Sequence, residues 1–156
     1  MNDHKKQLAV SILIPLAVGA VSGFLTRNAM KAFDLVKQPP LSPPDWIFPV
    51  VWTILYILMG IAAYLIYKEG PKKPAVRQAL RLYAVQLVFN FLWTFFFFQF
   101  QWFLFSLIWL IALWIQVLIL IFQFRKINTR AGNLMIPYLV WLTFAAYLNL
   151  GVYLLN

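Results

Sequence analysis

From Leu82 to Phe124 the chain runs 43 residues without a charged side chain. No soluble domain hides such a stretch, since exposed apolar patches rarely exceed a few hundred Å². As one helix it would be about 65 Å long at roughly 1.5 Å per residue, twice the thickness of a bilayer's hydrocarbon core. It must therefore fold back once, and Gln99-Phe100-Gln101-Trp102 is the only polar break near its middle. Three other uncharged stretches have 20 residues (Lys6 to Arg27), 22 (Asp45 to Lys68) and 26 (after Arg130). Each holds one span, because a crossing helix needs about 20 residues. The spacing predicts an all-α membrane protein with five transmembrane helices, over 7–27, 46–67, 78–99, 102–124 and 132–154, in a single domain covering 1–156.

Composition agrees. Hydrophobic residues make up 63% of the chain and charged ones 11%, against roughly 45–50% and 25% in soluble domains. The chain has no cysteine, which removes disulfides, thiol nucleophiles, zinc knuckles and iron–sulfur ligation. Its one histidine, His4, lies in the N-terminal tail, so no metal site and no histidine-based acid–base chemistry is expected within the membrane. The first span is long for a signal-peptide core, carries Pro15 and lacks a small-x-small cleavage site before Arg27, so it reads as a retained helix.

The basic residues fix an expected orientation. Five spans put Lys5, Lys6, Lys68, Lys72, Lys73, Arg77, Arg81, Arg125, Lys126 and Arg130 on one side and only Arg27, Lys31 and Lys37 on the other. The positive-inside rule places the N-terminus in the cytoplasm and the C-terminus outside. Basic residues spread over short loops beside spans serve as topology anchors and contacts for anionic lipid, so the +9 charge points to membrane lipids and not to nucleic acid.

The first loop ends in Pro39-Pro40-Leu41-Ser42-Pro43-Pro44-Asp45-Trp46, four prolines within six residues. That run excludes helix and favours extended geometry. Asp45 or Ser42 is placed to cap the second helix, and Trp46 to anchor it at the interface. A rigid connector and a lid over a pocket between helix ends both fit.

Within the spans, Gln86, Asn90 and Thr94 recur every four residues, with Trp93 and Phe97 beside them. Polar groups in lipid require partners, so this stripe faces the bundle interior, for interhelical hydrogen bonds or for ligand contact. Trp52 and Tyr56 lie one turn apart on the second span, and Tyr138, Trp141, Ala145 and Asn149 trace a similar stripe on the fifth. Interface belts do not account for Trp52, Trp93 and Trp141, which lie at least a turn inside their spans. Gly19-Ala20-Val21-Ser22-Gly23 is a GxxxG element that suits either dimerisation or close packing within one chain.

The proline-rich loop running into Phe48-Pro49-Val50-Val51-Trp52-Thr53-Ile54-Leu55-Tyr56, with Asn90-Phe91-Leu92-Trp93 and Pro137-Tyr138-Leu139-Val140-Trp141-Leu142, resembles the tryptophan-rich sensory protein family. These are the bacterial counterparts of the mitochondrial translocator protein, or peripheral benzodiazepine receptor. The resemblance covers nearly the whole chain. It implies a five-helix bundle in the bacterial cell membrane, commonly a homodimer, with a pocket closed by the first loop. It implies binding of tetrapyrroles such as protoporphyrin IX and haem, and of synthetic benzodiazepine and isoquinoline ligands. It also implies light- and oxygen-dependent breakdown of protoporphyrin IX. On that pattern Trp52 and Trp141 face the porphyrin and are the candidate catalytic residues, while Tyr56, Asn90, Trp93, Ala145 and Asn149 line the same pocket.

A porphyrin is a flat aromatic dianion that requires aromatic walls and a polar or cationic mouth. Arg27, Lys31 and Lys37 are the cations available for its propionates, with Pro43, Pro44 and Trp46 in the lid. The porphyrin would be a ligand and not a resident cofactor, and any turnover would be photo-oxidative, without a metal or an acid–base pair. A tetrapyrrole transporter or carrier, and a stress sensor acting through a partner, are the alternatives. The sequence departs from the family in two places. Tyr153 is followed only by Leu154, Leu155 and Asn156, so the cholesterol motif of the animal proteins is absent. Val50-Val51 follows Pro49 where the family often has two prolines.

Overall fold

The computed structural model describes residues 2–156. Its elements are α1 (Asp3–Leu25), α2 (Arg27–Ala32), a 3-10 turn (Phe33–Leu35), α3 (Ile47–Tyr67), α4 (Pro74–Thr94) continued by a π-helical turn (Phe95–Gln99), α5 (Phe103–Ile127), α6 (Thr129–Leu134) and α7 (Ile136–Leu155). The membrane is spanned by α1, α3, α4 with its π turn, α5, and α6 with α7, five crossings that overlie the five predicted ones.

The helices overrun the uncharged stretches where local chemistry favours it. Asn2 accepts a hydrogen bond from the His4 backbone N–H, so α1 begins at Asp3. Pro74 opens α4 at a position where the missing N–H leaves no gap in the ladder. Arg125 and Lys126 occupy the last turn of α5 and complement its dipole. Charge gaps therefore mark the hydrocarbon, and capping marks the helix ends.

The predicted fold-back is a tight reversal. The Trp102 N–H donates to the Phe96 carbonyl at 2.9 Å, and Gln101 adopts a φ of 54° to close the turn.

Helix α1 packs along α3, where the Ser11 hydroxyl donates to the Gly60 carbonyl at 2.8 Å and a side chain at Gly60 would collide with the backbone of Ile12. Helix α5 lies between α4 and α7. Asn128 caps α6 through Arg130 and Ala131 and donates to Glu69, tying that end to the loop after α3. There the core is closed: Ile66, Val76, Ala79, Leu120, Phe124 and Met135 are at most 1% exposed. The opposite faces of the helices, such as Leu104, Ile108, Ile115 and Phe122 on α5, point outward to lipid.

Candidate functional site

At the loop-1 end the helices enclose a cavity of about 440 Å³, within the range of small-molecule sites. Its floor is a hydrogen-bonded chain across three helices. The Tyr56 hydroxyl donates to Asn90 Oδ1 at 2.8 Å, Asn90 Nδ2 donates to the Tyr138 hydroxyl at 2.8 Å, and that hydroxyl donates to Gln86 Oε1 at 2.8 Å. Tyr56 and Asn90 line the cavity, whereas Tyr138 and Gln86 lie beneath it in the core. The polar stripe of α4 thus divides its work: Gln86 bonds between helices, Asn90 does so while facing the cavity, and Thr94 lines the wall.

The walls are aromatic. Trp52 stacks on Tyr56, with ring centroids 5.4 Å apart, and meets Trp141 edge-on at 6.4 Å with the planes at 90°. Phe48 packs edge-on against Trp141 at 5.8 Å. The Trp141 indole N–H is buried and has no hydrogen-bond partner among the described residues. Across the cavity Trp93 stacks on Phe97 at 5.0 Å, and Phe33 lies against both Phe97 and Phe98 at 5.1 Å. Gly19 is pressed against the Tyr56 ring, and a side chain at Gly23 would meet nothing within 4 Å. The GxxxG element therefore works inside the monomer, with Gly19 seating Tyr56 and Gly23 leaving room in the cavity.

Loop 1 roofs this space. Gln38, Pro39 and Ser42 line the cavity, and the loop is clamped to the end of α7. The Tyr147 hydroxyl donates to the Pro40 carbonyl at 2.6 Å, Asn156 bonds both backbone groups of Lys37, and Pro39 sits on Gly151. The Ser42 hydroxyl turns back to the Pro39 carbonyl at 2.7 Å and Leu41 takes a φ of 69°. Neither Ser42 nor Asp45 caps α3: Trp46 holds the cap position without a side-chain bond, and the first turn is closed by the Ile47 N–H on the Pro44 carbonyl. That corrects the capping expectation.

The structure brings Trp52, Tyr56, Asn90, Trp93, Trp141 and Ala145 to one cavity. Asn149 is not on its wall. It is fully buried, accepts from Trp93 Nε1 and the Ser106 hydroxyl, and donates to the Phe103 carbonyl, so it positions Trp93 from behind. Among the expected cations only Lys31 lines the cavity. Arg27 folds back on the end of α1, donating to the Phe24 carbonyl with its guanidinium 4.1 Å from the Phe24 ring centroid. Lys37 contributes only backbone to the clamp. Pro43, Pro44 and Trp46 also stand outside the lining, and Trp46 is 66% exposed.

Sequence reasoning missed Asp34 and Asp45, which both line the mouth, and the aromatic group Phe33, Phe48 and Phe98. The position of Phe48 one turn before Trp52 is a signal that identifies it. Nothing in the spacing around Phe33 points to the cavity, because a short helix and a 3-10 turn fold it back over the π turn.

The family model described as the TspO/MBR family matches residues 11–155. The chain is 39% identical to "Tryptophan-rich protein TspO" of Chlorobaculum tepidum, over 100% of this chain and 99% of that one. It is 39% identical to "Tryptophan-rich sensory protein" of Cereibacter sphaeroides, over 96% and 91% of the two chains, and 38% identical to "Translocator protein" of Ovis aries, over 81% and 75%.

Proposed function

The chain belongs to the TspO/MBR family, and on that premise we propose that its cavity binds a tetrapyrrole, with protoporphyrin IX as the reference ligand, and promotes the light- and oxygen-dependent degradation of that ligand. The observation that carries this reading is the perpendicular pair Trp52–Trp141, two indoles set into an aromatic wall of a cavity whose polar and charged groups lie at its floor and mouth. A flat aromatic ring system gains most from walls that offer both faces and edges. Either indole, in contact with a bound porphyrin, is placed to relay one electron: it reduces the photo-excited ring, and the ring anion passes that electron to dioxygen as superoxide. The indole radical cation then takes an electron back from the ring, and superoxide adds to the ring radical cation, so that the net reaction is addition of dioxygen to the porphyrin. The floor supports orientation: Asn90 Nδ2 keeps a second N–H beyond the one given to Tyr138.

The protein is a multi-pass membrane protein. We place it in a bacterial cell membrane with the cavity mouth outside. Ten of the 13 basic residues lie at the other end of the bundle, in the first turns of α1 and α4, the last turn of α5, α6 and the loop after α3, which supports that orientation.

The test is the absorbance of protoporphyrin IX under steady illumination in detergent, with intact protein, the W52F/W141F double variant and an unrelated membrane protein of similar tryptophan content. Rapid loss of the porphyrin bands with a defined product is expected only with the intact protein. The double variant is expected to lose about tenfold or more in light-driven rate, an effect of the size that removal of one reacting group produces, while dark affinity changes much less. Equal bleaching in all three samples would leave a porphyrin binder or carrier. Parallel loss of affinity and rate would make the tryptophans walls only.

A further inference from the structure

We propose that Asp34 and Asp45 make the cavity mouth a charge filter, one that takes neutral or singly anionic ligands in preference to dicarboxylates. The proposal rests on reading the cavity as the ligand site. The chain has four acidic residues against thirteen basic ones, and two of those four converge on the rim of this one cavity. Both come from loop 1: Asp34 from the 3-10 turn and Asp45 from the residues just before α3. Both are solvent-exposed. The local sign is therefore opposite to that of the chain as a whole.

Among the described residues Lys31 is the one basic side chain on the lining; Arg27 donates to the Phe24 carbonyl, and neither it nor Lys37 lines the cavity. With both carboxylates ionised the rim carries one net negative charge. The elements facing the rim add nothing to offset it. Helix α1 contributes Gly19, Ser22 and Gly23, α4 with its π turn contributes no ionisable group, and neither does α7; the remaining titratable lining group, Tyr56, is at the floor.

The two carboxyls also interact with each other. The Asp45 carboxyl is raised above the ordinary carboxylate range by a hydrogen bond to Asp34 and by the charge on Asp34. A ligand with one carboxylate can take Lys31. The second carboxylate of a dianion must then face Asp34 or Asp45. Like charges about 7 Å apart at an effective dielectric between those of protein surface and water weaken binding about five- to tenfold.

Protoporphyrin IX and its dimethyl ester share one ring and differ in carrying two carboxylates or none. Binding of each in the dark is to be measured by quenching of tryptophan fluorescence in detergent at neutral pH and low salt, for intact protein, D34N, D45N, the double variant and K31Q. The double variant is expected to bind the diacid about five- to tenfold more tightly and the ester within twofold of intact protein, a difference that shrinks as salt screens the rim. K31Q is expected to weaken the diacid alone. Diacid and ester shifting together in the Asp variants, or neither shifting while both bind, overturns the filter and leaves the ligand site standing. Failure of the intact protein to bind either compound overturns the ligand site itself, and the filter with it.

Discussion

At the α6 end of the bundle Ile66, Val76, Leu120 and Phe124 are at most 1% exposed, while at the loop-1 end Trp52, Trp93, Trp141 and Phe98 remain half-buried around about 440 Å³ of space. The same long helices build both ends, so helix geometry alone does not explain the contrast. Side-chain shape does. Branched aliphatic and small residues interdigitate between helices to the density of an organic crystal. Large rigid rings at the loop-1 end meet one another in stacks and at edges and leave space between the two walls, and Gly23 adds none of its own volume. The chain Tyr56–Asn90–Tyr138–Gln86 lies at the boundary. It fixes three helices at one height, below which the bundle closes and above which it opens.

Truncations at the two ends should separate them most strongly. Phe124→Ala is expected to cost about 3–5 kcal/mol, the range for emptying a closed aromatic site. Phe98→Ala should cost about 1 kcal/mol or less, because the space it leaves joins one already there. Unfolding in detergent measures both, and equal losses would break the comparison. At the boundary, Asn90→Leu removes two interhelical hydrogen bonds and should cost about 1–3 kcal/mol, with Tyr56→Phe losing about half as much.

The roof offers a finer test. Gly151→Val drives into Pro39 and should loosen loop 1, giving roughly three- to tenfold faster ligand dissociation with little change in association, as interface changes usually do. Stopped-flow displacement reads this directly, and an unchanged off-rate would mean that the clamp does not retain the ligand.

The smallest effect is electrostatic. Asp45 is raised in the folded chain by its hydrogen bond to Asp34 and by the Asp34 charge, so the folded state holds that proton more tightly than the unfolded one. The contribution of the pair to holding loop 1 is present at acid pH and declines as pH rises through the raised value. Carboxyl carbon NMR should show Asp45 titrating above the ordinary range in intact protein and returning to it in Asp34→Asn.

Much of this was legible in advance. The five spans follow from the positions of charges, because a charged side chain in hydrocarbon is costly and its absence over 20 residues has few other causes. The wall positions Trp52, Tyr56, Asn90, Trp93 and Trp141 stood out because large aromatic or polar groups well inside a span call for an explanation that an interface belt does not supply. Asn149 was misplaced because periodicity assigns a face of a helix and not its neighbour, and its neighbours proved to be Trp93, Ser106 and Phe103. The mouth was misjudged for a similar reason. Loop 1 lacks a repeating pattern, so counting its charges said nothing of which ones turn inward.

The sequence by itself determined that this chain crosses a membrane five times, where it turns, and which helix positions carry the unusual side chains, since those follow from local transfer energies and helical spacing. Only the tertiary structure decided that Lys31, Asp34 and Asp45 form the rim while Arg27 and Lys37 stay off the lining, and that Tyr147, Gly151 and Asn156 hold the proline-rich loop over the cavity. The contacts of the clamp join residues more than a hundred positions apart, as Tyr147 and Pro40 are. Their partners are selected by how the helix ends come together, which no local pattern specifies.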